Sequence, residues 1–186
     1  MLTTRHKAAL NRFFERPARW IVRLGLGPSA VTLAGLALVA ASCAFLVVTR
    51  QIVVFCVLVT LASLLDALDG AVARVSGRVT KFGSYLDAVC DRAGEALVIL
   101  CVAVVTGYWV LSSAALVGTL LISYAKARAA MEVPIANLEW PDLMERAERD
   151  TIYIVGLALS QLIPWRPLGR DLFWWTLAVL AVLVYA

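Results

Sequence analysis

An all-α integral membrane protein, with six transmembrane helices preceded by an N-terminal amphipathic interfacial helix, is the fold class this sequence predicts. Three observations predict it. Hydrophobic residues make up 62% of the 186 and mean hydropathy is +0.85, while 16% are charged, against roughly 25% in an ordinary soluble domain. Uncharged runs recur at lengths near the ~20 residues that cross ~30 Å of hydrocarbon. Basic residues gather in alternate connecting segments, the bias that orients membrane spans. The length suits a single membrane domain over 1–186, with a juxtamembrane helix over 3–24 and a six-helix bundle over 29–186, and leaves no room for a separate soluble domain.

The N-terminal segment lacks the apolar core of a signal peptide. Residues 3–23 carry Arg5, Lys7, Arg12, Arg16, Arg19 and Arg23 against one acid, Glu15. Leu10, Phe13, Phe14, Pro17, Trp20, Ile21 and Leu24 interleave with them at roughly helical spacing. That pattern fits a helix lying in the headgroup layer.

The first span is Ala30–Thr49. The second begins with Gln51–Leu65 and continues through an acidic stretch towards Arg74. Ala96–Ala125 holds 30 uncharged residues, too many for one crossing, and Gly107-Tyr108-Trp109 divides it into the third and fourth spans. Thr151–Pro164 and the shorter Leu172–Ala186 complete six. With the N-terminus inside, thirteen basic residues fall on the cytoplasmic side, against Arg50, Arg166 and Arg170 on the other. Trp109, Trp165, Trp174 and Trp175 then form an outer interfacial belt or a subunit contact. The net charge of +4 follows from this topology and from attraction to anionic lipid, and gives no reason to expect nucleic acid.

Cys43, Cys56, Cys90 and Cys101 fall in apolar runs with no CxxC pair and no nearby histidine, which argues against a zinc site and for small packing residues. His6, the single histidine, lies in the basic N-terminal segment.

The chemistry concentrates in "DALDGAVARVSGRVTKFGSYLDAVCD", residues 66–91. An ionised carboxylate at membrane depth costs several kcal/mol unless it is paired or bound to a cation, yet Asp66, Asp69, Asp87 and Asp91 lie within 26 residues. Spacings of three and four put each pair on one helical face. A turn at Ser76-Gly77-Arg78 makes the two helices antiparallel, so that the acidic faces meet near the cytoplasmic surface. Four converging carboxylates need neutralising cations, and hard oxygen ligands select Mg²⁺, Mn²⁺ or Ca²⁺. Two such ions held by shared carboxylates suit phosphoryl chemistry. Gly70, Ala73 and Gly83 let something approach the backbone closely or serve helix packing, and Arg74 can grip a phosphate.

Asp66-x-x-Asp69-Gly70-x-x-Ala73-Arg74, eight residues, Gly83-x-x-x-Asp87-x-x-x-Asp91 resembles the complete signature of the CDP-alcohol phosphotransferases. The resemblance extends over essentially the whole chain. "LGLGPSAVTLAGL", residues 24–36, is similar to the family's first-helix start, with Pro28, Thr32 and Gly35 in their familiar places. It implies transfer of a phosphatidyl or archaetidyl group from CDP-diacylglycerol or CDP-archaeol to an alcohol, with release of CMP, in phospholipid biosynthesis. It further implies Asp66, Asp69 and Asp87 as metal ligands and Asp91 as both the completing ligand and the general base. The cytidine diphosphate group would lie along Asp66, Asp69, Gly70, Ala73, Arg74 and Gly83. Mg²⁺, with Mn²⁺ as substitute, two ions per site, and a homodimer in the cytoplasmic membrane are the implied cofactor and assembly.

Lys126, Arg128, Arg146 and Arg149 flank the connection between the fourth and fifth spans. They suit a phosphate on the acceptor, and the positive-inside bias accounts for them equally well. "SYAKARA" and "ERAER" resemble the phosphatidylinositol-phosphate and archaetidylinositol-phosphate synthase branch, which implies inositol phosphate as acceptor with Lys126 and Arg149 as leading ligands. Asp150 and Thr151 depart from the apolar residues usual after "ERAER". Glycerol 3-phosphate, the acceptor of a phosphatidylglycerophosphate synthase, is the alternative. A cation transporter is the alternative from another class. It needs acids distributed along a path, and spans one, four and six have none in their cores.

Overall fold

The computed structural model describes residues 14–132, 144 and 146–185. Every regular element among them is helical. A short helix, α1, covers 14–23, followed by α2 (Pro28–Thr49), α3 (Ile52–Ser76), α4 (Lys81–Thr106), α5 (Trp109–Glu132), α6 (Arg146–Leu162) and α7 (Leu172–Leu183), with a 3₁₀ turn at Pro167–Gly169 before α7. Among the described residues α2, α3 and α5 are long and apolar enough to cross a membrane, and α7 is a shorter apolar helix. Only 28% of the α3 window is buried within the protein. Val48, Val110 and Val182 are more than two-thirds exposed. Apolar helices so sparsely covered by protein need lipid around them, as in a multi-pass membrane protein.

Glycine turns set the helix ends. At Gly25 (φ 78°) the amide bonds to Val22 O at 3.0 Å and the Leu26 amide reaches back to Ile21 O at 3.3 Å. Gly77 (φ 66°) repeats the pattern, with Gly77 N to Arg74 O at 3.3 Å and Arg78 N to Ala73 O at 3.0 Å. Both are Schellman caps, which require a left-handed residue that glycine adopts without a Cβ penalty. Thr80 then starts α4, its Oγ1 accepting from the Gly83 amide at 3.0 Å. The turn predicted at Ser76-Gly77-Arg78 is therefore present. The break predicted at Gly107-Tyr108-Trp109 falls between α4 and α5, with the Gly107 amide bonded to Ala103 O at 2.8 Å.

The chain forms two compact units. The first comprises 1–42 and 57–97. Its core joins Phe14 and Ala18 of α1, Val31 of α2 and Ala71 and Val72 of α3, with Ile21, Val22 and Leu68 packed around them. Phe14, Ala18 and Ile21 make the inward face of α1 at helical spacing, while Trp20 and Leu24 point outward, 67% and 61% exposed. Leu10, Phe13 and the basic residues before them lie outside the described residues.

The second unit comprises 43–56 and 98–186. Small residues let its helices approach closely, as is usual where lipid provides no hydrophobic drive between helices. Gly156 of α6 faces Thr176 of α7, and Gly118 of α5 faces Val184 and Tyr185. Tyr153 meets Phe173 edge to face, with ring centroids 5.2 Å apart. Asp171 caps α7 by accepting from Trp174 N at 2.8 Å, and its other oxygen accepts from the Tyr108 hydroxyl at 2.8 Å. Burial and the adjoining Asp171 carboxylate push the Tyr108 phenol pKa up. All four cysteines are free and buried, in keeping with a packing role.

Candidate metal and phosphate sites

Asp66 and Asp69 project from α3 and Asp87 from α4, all within the first unit. One carboxylate oxygen from each lies within 4.8 Å of the others. A divalent ion bonding each at about 2.1–2.5 Å holds its oxygen ligands at separations of about 3–5 Å, so this donor set fits a hard cation. Asp69 is buried at 6% exposure, while Asp66 and Asp87 are half-buried, which leaves an open side for a substrate oxygen. Asp91, one turn beyond Asp87, is half-buried and stands outside the compact triad.

Sequence reasoning gave Thr32 no role of its own at this site. The Thr32 hydroxyl, on α2, lies 2.5 Å from Asp69 Oδ2 and 3.2 Å from Pro28 O. It carries one proton, and the shorter contact to an ionised acceptor is the stronger bond. Thr32 and Asp69 are both buried, so this bond restrains the Asp69 carboxylate beside its partners. The signal available in the sequence was the place of Thr32 in the first-helix start, which by itself names no partner.

Gly70 and Arg74 are also coupled. A Cβ at position 70 would meet Arg74 Nη1 at 3.4 Å, so the exposed guanidinium lies across the glycine beside the triad. Ala73 is half-buried on the same helix, and Gly83 sits in the first turn of α4.

The four basic residues all belong to the second unit and differ sharply from one another. Arg128 pairs with Glu132 at 2.7 Å, with both side chains more than half exposed. Arg146 Nε meets Asp150 at 3.4 Å. Lys126 is half-buried. Arg149 is buried at 6% exposure. Its Nη1 donates to Met144 O at 2.9 Å, and its buried Nε has no hydrogen-bond partner among the described residues. A buried guanidinium with a spare donor is the member of the set best suited to an anionic ligand. Glu145 lies outside the described residues.

The sequence profile of the CDP-alcohol phosphatidyltransferase family matches residues 26–185. Phosphatidylinositol phosphate synthase of Mycolicibacterium smegmatis is 36% identical over 186 residues, covering 95% of this chain and 82% of that protein. Archaetidylinositol phosphate synthase of Aeropyrum pernix is 35% identical over 144 residues, covering 77% of this chain and 72% of its own length. The crystal structure of Mycobacterium tuberculosis phosphatidylinositol phosphate synthase with CDP-DAG bound matches with a TM-score of 0.82 at 30% identity, over 94% of this chain and 88% of that one. The same enzyme in complex with manganese and citrate matches at 0.81 and 29% identity, over 92% and 83%.

Proposed function

Because this chain belongs to the CDP-alcohol phosphatidyltransferase family, we propose that it transfers a phosphatidyl or archaetidyl group from a CDP-linked lipid to a hydroxyl of inositol phosphate, releasing CMP. The observation that carries the chemistry is the Asp66, Asp69 and Asp87 triad, within 4.8 Å at the centre of the complete motif. Similarity to phosphatidylinositol phosphate and archaetidylinositol phosphate synthases over most of the chain supports the acceptor.

Asp66, Asp69 and Asp87 hold the divalent cation, with Asp91 completing the site. Mg²⁺ is the assigned ion, Mn²⁺ its substitute, and two ions fill each site. A bound cation neutralises the pyrophosphate and the CMP leaving group. Arg74, whose Nη1 would lie 3.4 Å from a Cβ at Gly70, grips a phosphate of the donor across that glycine. Gly70, Ala73 and Gly83, together with Asp66 and Asp69, line the cytidine diphosphate. Asp91 takes the proton of the attacking hydroxyl. The oxygen–phosphorus bond to inositol phosphate forms at the lipid-bearing phosphorus, and the bridging bond to CMP breaks. Arg149 and Lys126 bind the acceptor phosphate, with Arg146 and Arg128 as outer contributors.

The same reading makes residues 1–186 one membrane domain of six spans, preceded by an interfacial helix. Its N-terminus and acidic site face the cytoplasm, and the enzyme is a homodimer.

Purified protein in detergent, given Mg²⁺ and CDP-diacylglycerol or CDP-archaeol, tests the proposal by CMP release with inositol phosphate, glycerol 3-phosphate, free inositol or serine. Release with inositol phosphate alone is expected. A preference for glycerol 3-phosphate would overturn the acceptor and retain the donor chemistry. Silence with every acceptor, from folded protein, would sink the enzyme reading.

A further inference from the structure

Three basic residues that the proposed chemistry does not use, Arg50, Arg166 and Arg170, gather where three connections of the second unit meet. The Tyr108 hydroxyl, between α4 and α5, donates to Asp171 at 2.8 Å, just before α7. Arg50, between α2 and α3, directs Nη1 to Val104 O at 3.5 Å and Val105 O at 3.4 Å, in the last turn of α4. Arg50 is thereby committed to a carbonyl end that suits a cation. Asp171 is committed as well, to Tyr108 and to the Trp174 amide. Arg166 and Arg170, in the connection from α6 to α7, are exposed and pair with no carboxylate among the described residues. Arg170 and Arg166 both act against the upward push that burial and Asp171 give the Tyr108 phenol, so their charges converge on one corner.

That corner holds a cavity of about 390 Å³, with Gln161, Arg166 and Asp171 in its polar wall. Gln161 Nε2 donates to Ser160 Oγ at 3.1 Å, which leaves its second amide proton for a ligand. The Arg170 guanidinium lies 5.4 Å from the Trp174 ring centroid, a cation–π contact that orders it. The flank of the cavity is apolar. Leu162 and Trp165 are more than half exposed, and Leu168 is 88% exposed. Leu168 also holds φ at 53°, in the left-handed region that costs a non-glycine residue free energy. A leucine so placed gains nothing from protein contacts. At a membrane surface its side chain enters the acyl boundary, and Trp165 sits at headgroup level.

We propose that the connection from α6 to α7 binds the headgroup of an anionic phospholipid, with its phosphate at Arg166 and Arg170 and its acyl chains beside Leu162, Trp165 and Leu168. Charge selects the lipid class. Residues 50–51, 107–108 and 163–171 hold three arginines against Asp171 as the one acid, an excess of two positive charges. An anionic headgroup neutralises that excess, whereas the ammonium of a zwitterionic one adds to it. The proposal rests on the membrane reading of the chain and is independent of the reaction.

Native mass spectrometry of the full-length protein in detergent, titrated with phosphatidylglycerol or phosphatidylcholine of matched chains, tests it. Attraction to an anionic lipid is worth about fivefold in affinity per basic residue. In Arg166→Gln/Arg170→Gln, one phosphatidylglycerol binding step should therefore weaken about 25-fold, with phosphatidylcholine retention unchanged. Lipid held elsewhere on the chain is common to both proteins, so the difference reads this site alone. Both arginines are exposed, so their replacement leaves the core untouched. Arg166→Lys/Arg170→Lys keeps the charges and should stay within about threefold of the original. Equal phosphatidylglycerol retention in the glutamine variant, or an equal loss of phosphatidylcholine, would overturn the proposal. So would a lysine variant as weak as the glutamine one. Displacement of the bound phosphatidylglycerol by excess inorganic phosphate would make this a site for free phosphate and overturn the lipid assignment.

Discussion

Thr32→Val removes the one hydroxyl that reaches Asp69 while keeping the branched shape of the side chain. The bond spans 2.5 Å between two buried groups, and its acceptor is a carboxylate. Hydrogen bonds to charged groups contribute about 1.5–3 kcal/mol, and about 1.4 kcal/mol is a factor of ten in affinity. If that energy serves to hold Asp69 in its ligating orientation, the Mn²⁺ or Mg²⁺ concentration giving half-maximal CMP release should rise about 10–100-fold. The range agrees with the usual cost of losing a group that orients a metal ligand. Saturating metal should restore most of the rate, because Thr32 is argued to orient a ligand and not to touch the reacting atoms. Thr32→Ser retains the donor and should stay within about threefold of the original. The reasoning is refuted if Thr32→Val leaves the metal dependence unchanged. It is refuted equally if Thr32→Ser is as impaired as Thr32→Val, since the lost methyl would then matter more than the hydroxyl.

Three further outcomes follow from the geometry. Asp91→Asn should lower kcat by about 10²–10⁴-fold, the span associated with losing a general base. Calorimetric Mn²⁺ binding should weaken in that variant without being abolished, because the compact Asp66, Asp69 and Asp87 triad remains while the completing ligand is lost. Arg149→Gln should reduce kcat/KM for inositol phosphate about 10–150-fold, as expected on losing a charged hydrogen-bond donor. Arg128→Gln should cost less than about fivefold, because its exposed pair with Glu132 is worth little; steady-state kinetics on both variants separates them. Gly156→Ala would put a methyl 2.5 Å from Thr176 Cγ2 and 2.6 Å from its Oγ1, so the thermal midpoint in detergent should fall by the equivalent of about 1–3 kcal/mol, with partial recovery on adding Thr176→Ala.

Hydropathy and turn chemistry made most of the helix order legible. The predicted breaks at Gly77 and Gly107 are both present, because a left-handed cap is a local requirement that a glycine announces in sequence. Helix starts were harder to read. α4 begins at Lys81, fifteen residues before the uncharged run at Ala96, and α6 begins at Arg146, five residues before Thr151. In both, the charged residues gather in the first half of the helix, where a search for uncharged runs stops early. The acidic motif was readable because its spacing is local within each helix. The Thr32 bond was not, since it joins residues 37 apart and depends on how α2 meets α3. Likewise, four basic residues look equivalent in sequence, and only packing sets Arg149 apart as the buried one.

That dependence on packing explains why the acids can be maintained in an apolar helix at all. Asp69 is followed two and three residues later by Ala71 and Val72, which are 2% and 0% exposed in the cluster with Phe14, Ala18 and Val31. The rotation of α3 that presents Asp66 and Asp69 to Asp87 is therefore tied to the apolar contacts that Ala71 and Val72 make with α1 and α2. Ala18 lies in that contact with no exposed surface. A larger residue there has to push α1 away or turn α3, and a turn of α3 carries both of its ligands with it. Ala18→Leu should consequently weaken Mn²⁺ binding although it adds only hydrocarbon and lies on another helix. Overpacking costs about 1–3 kcal/mol when the neighbours cannot shift. If the helices instead yield without disturbing the carboxylates, Mn²⁺ titration will give the original Kd, and the packing of α1 will have no part in setting the site.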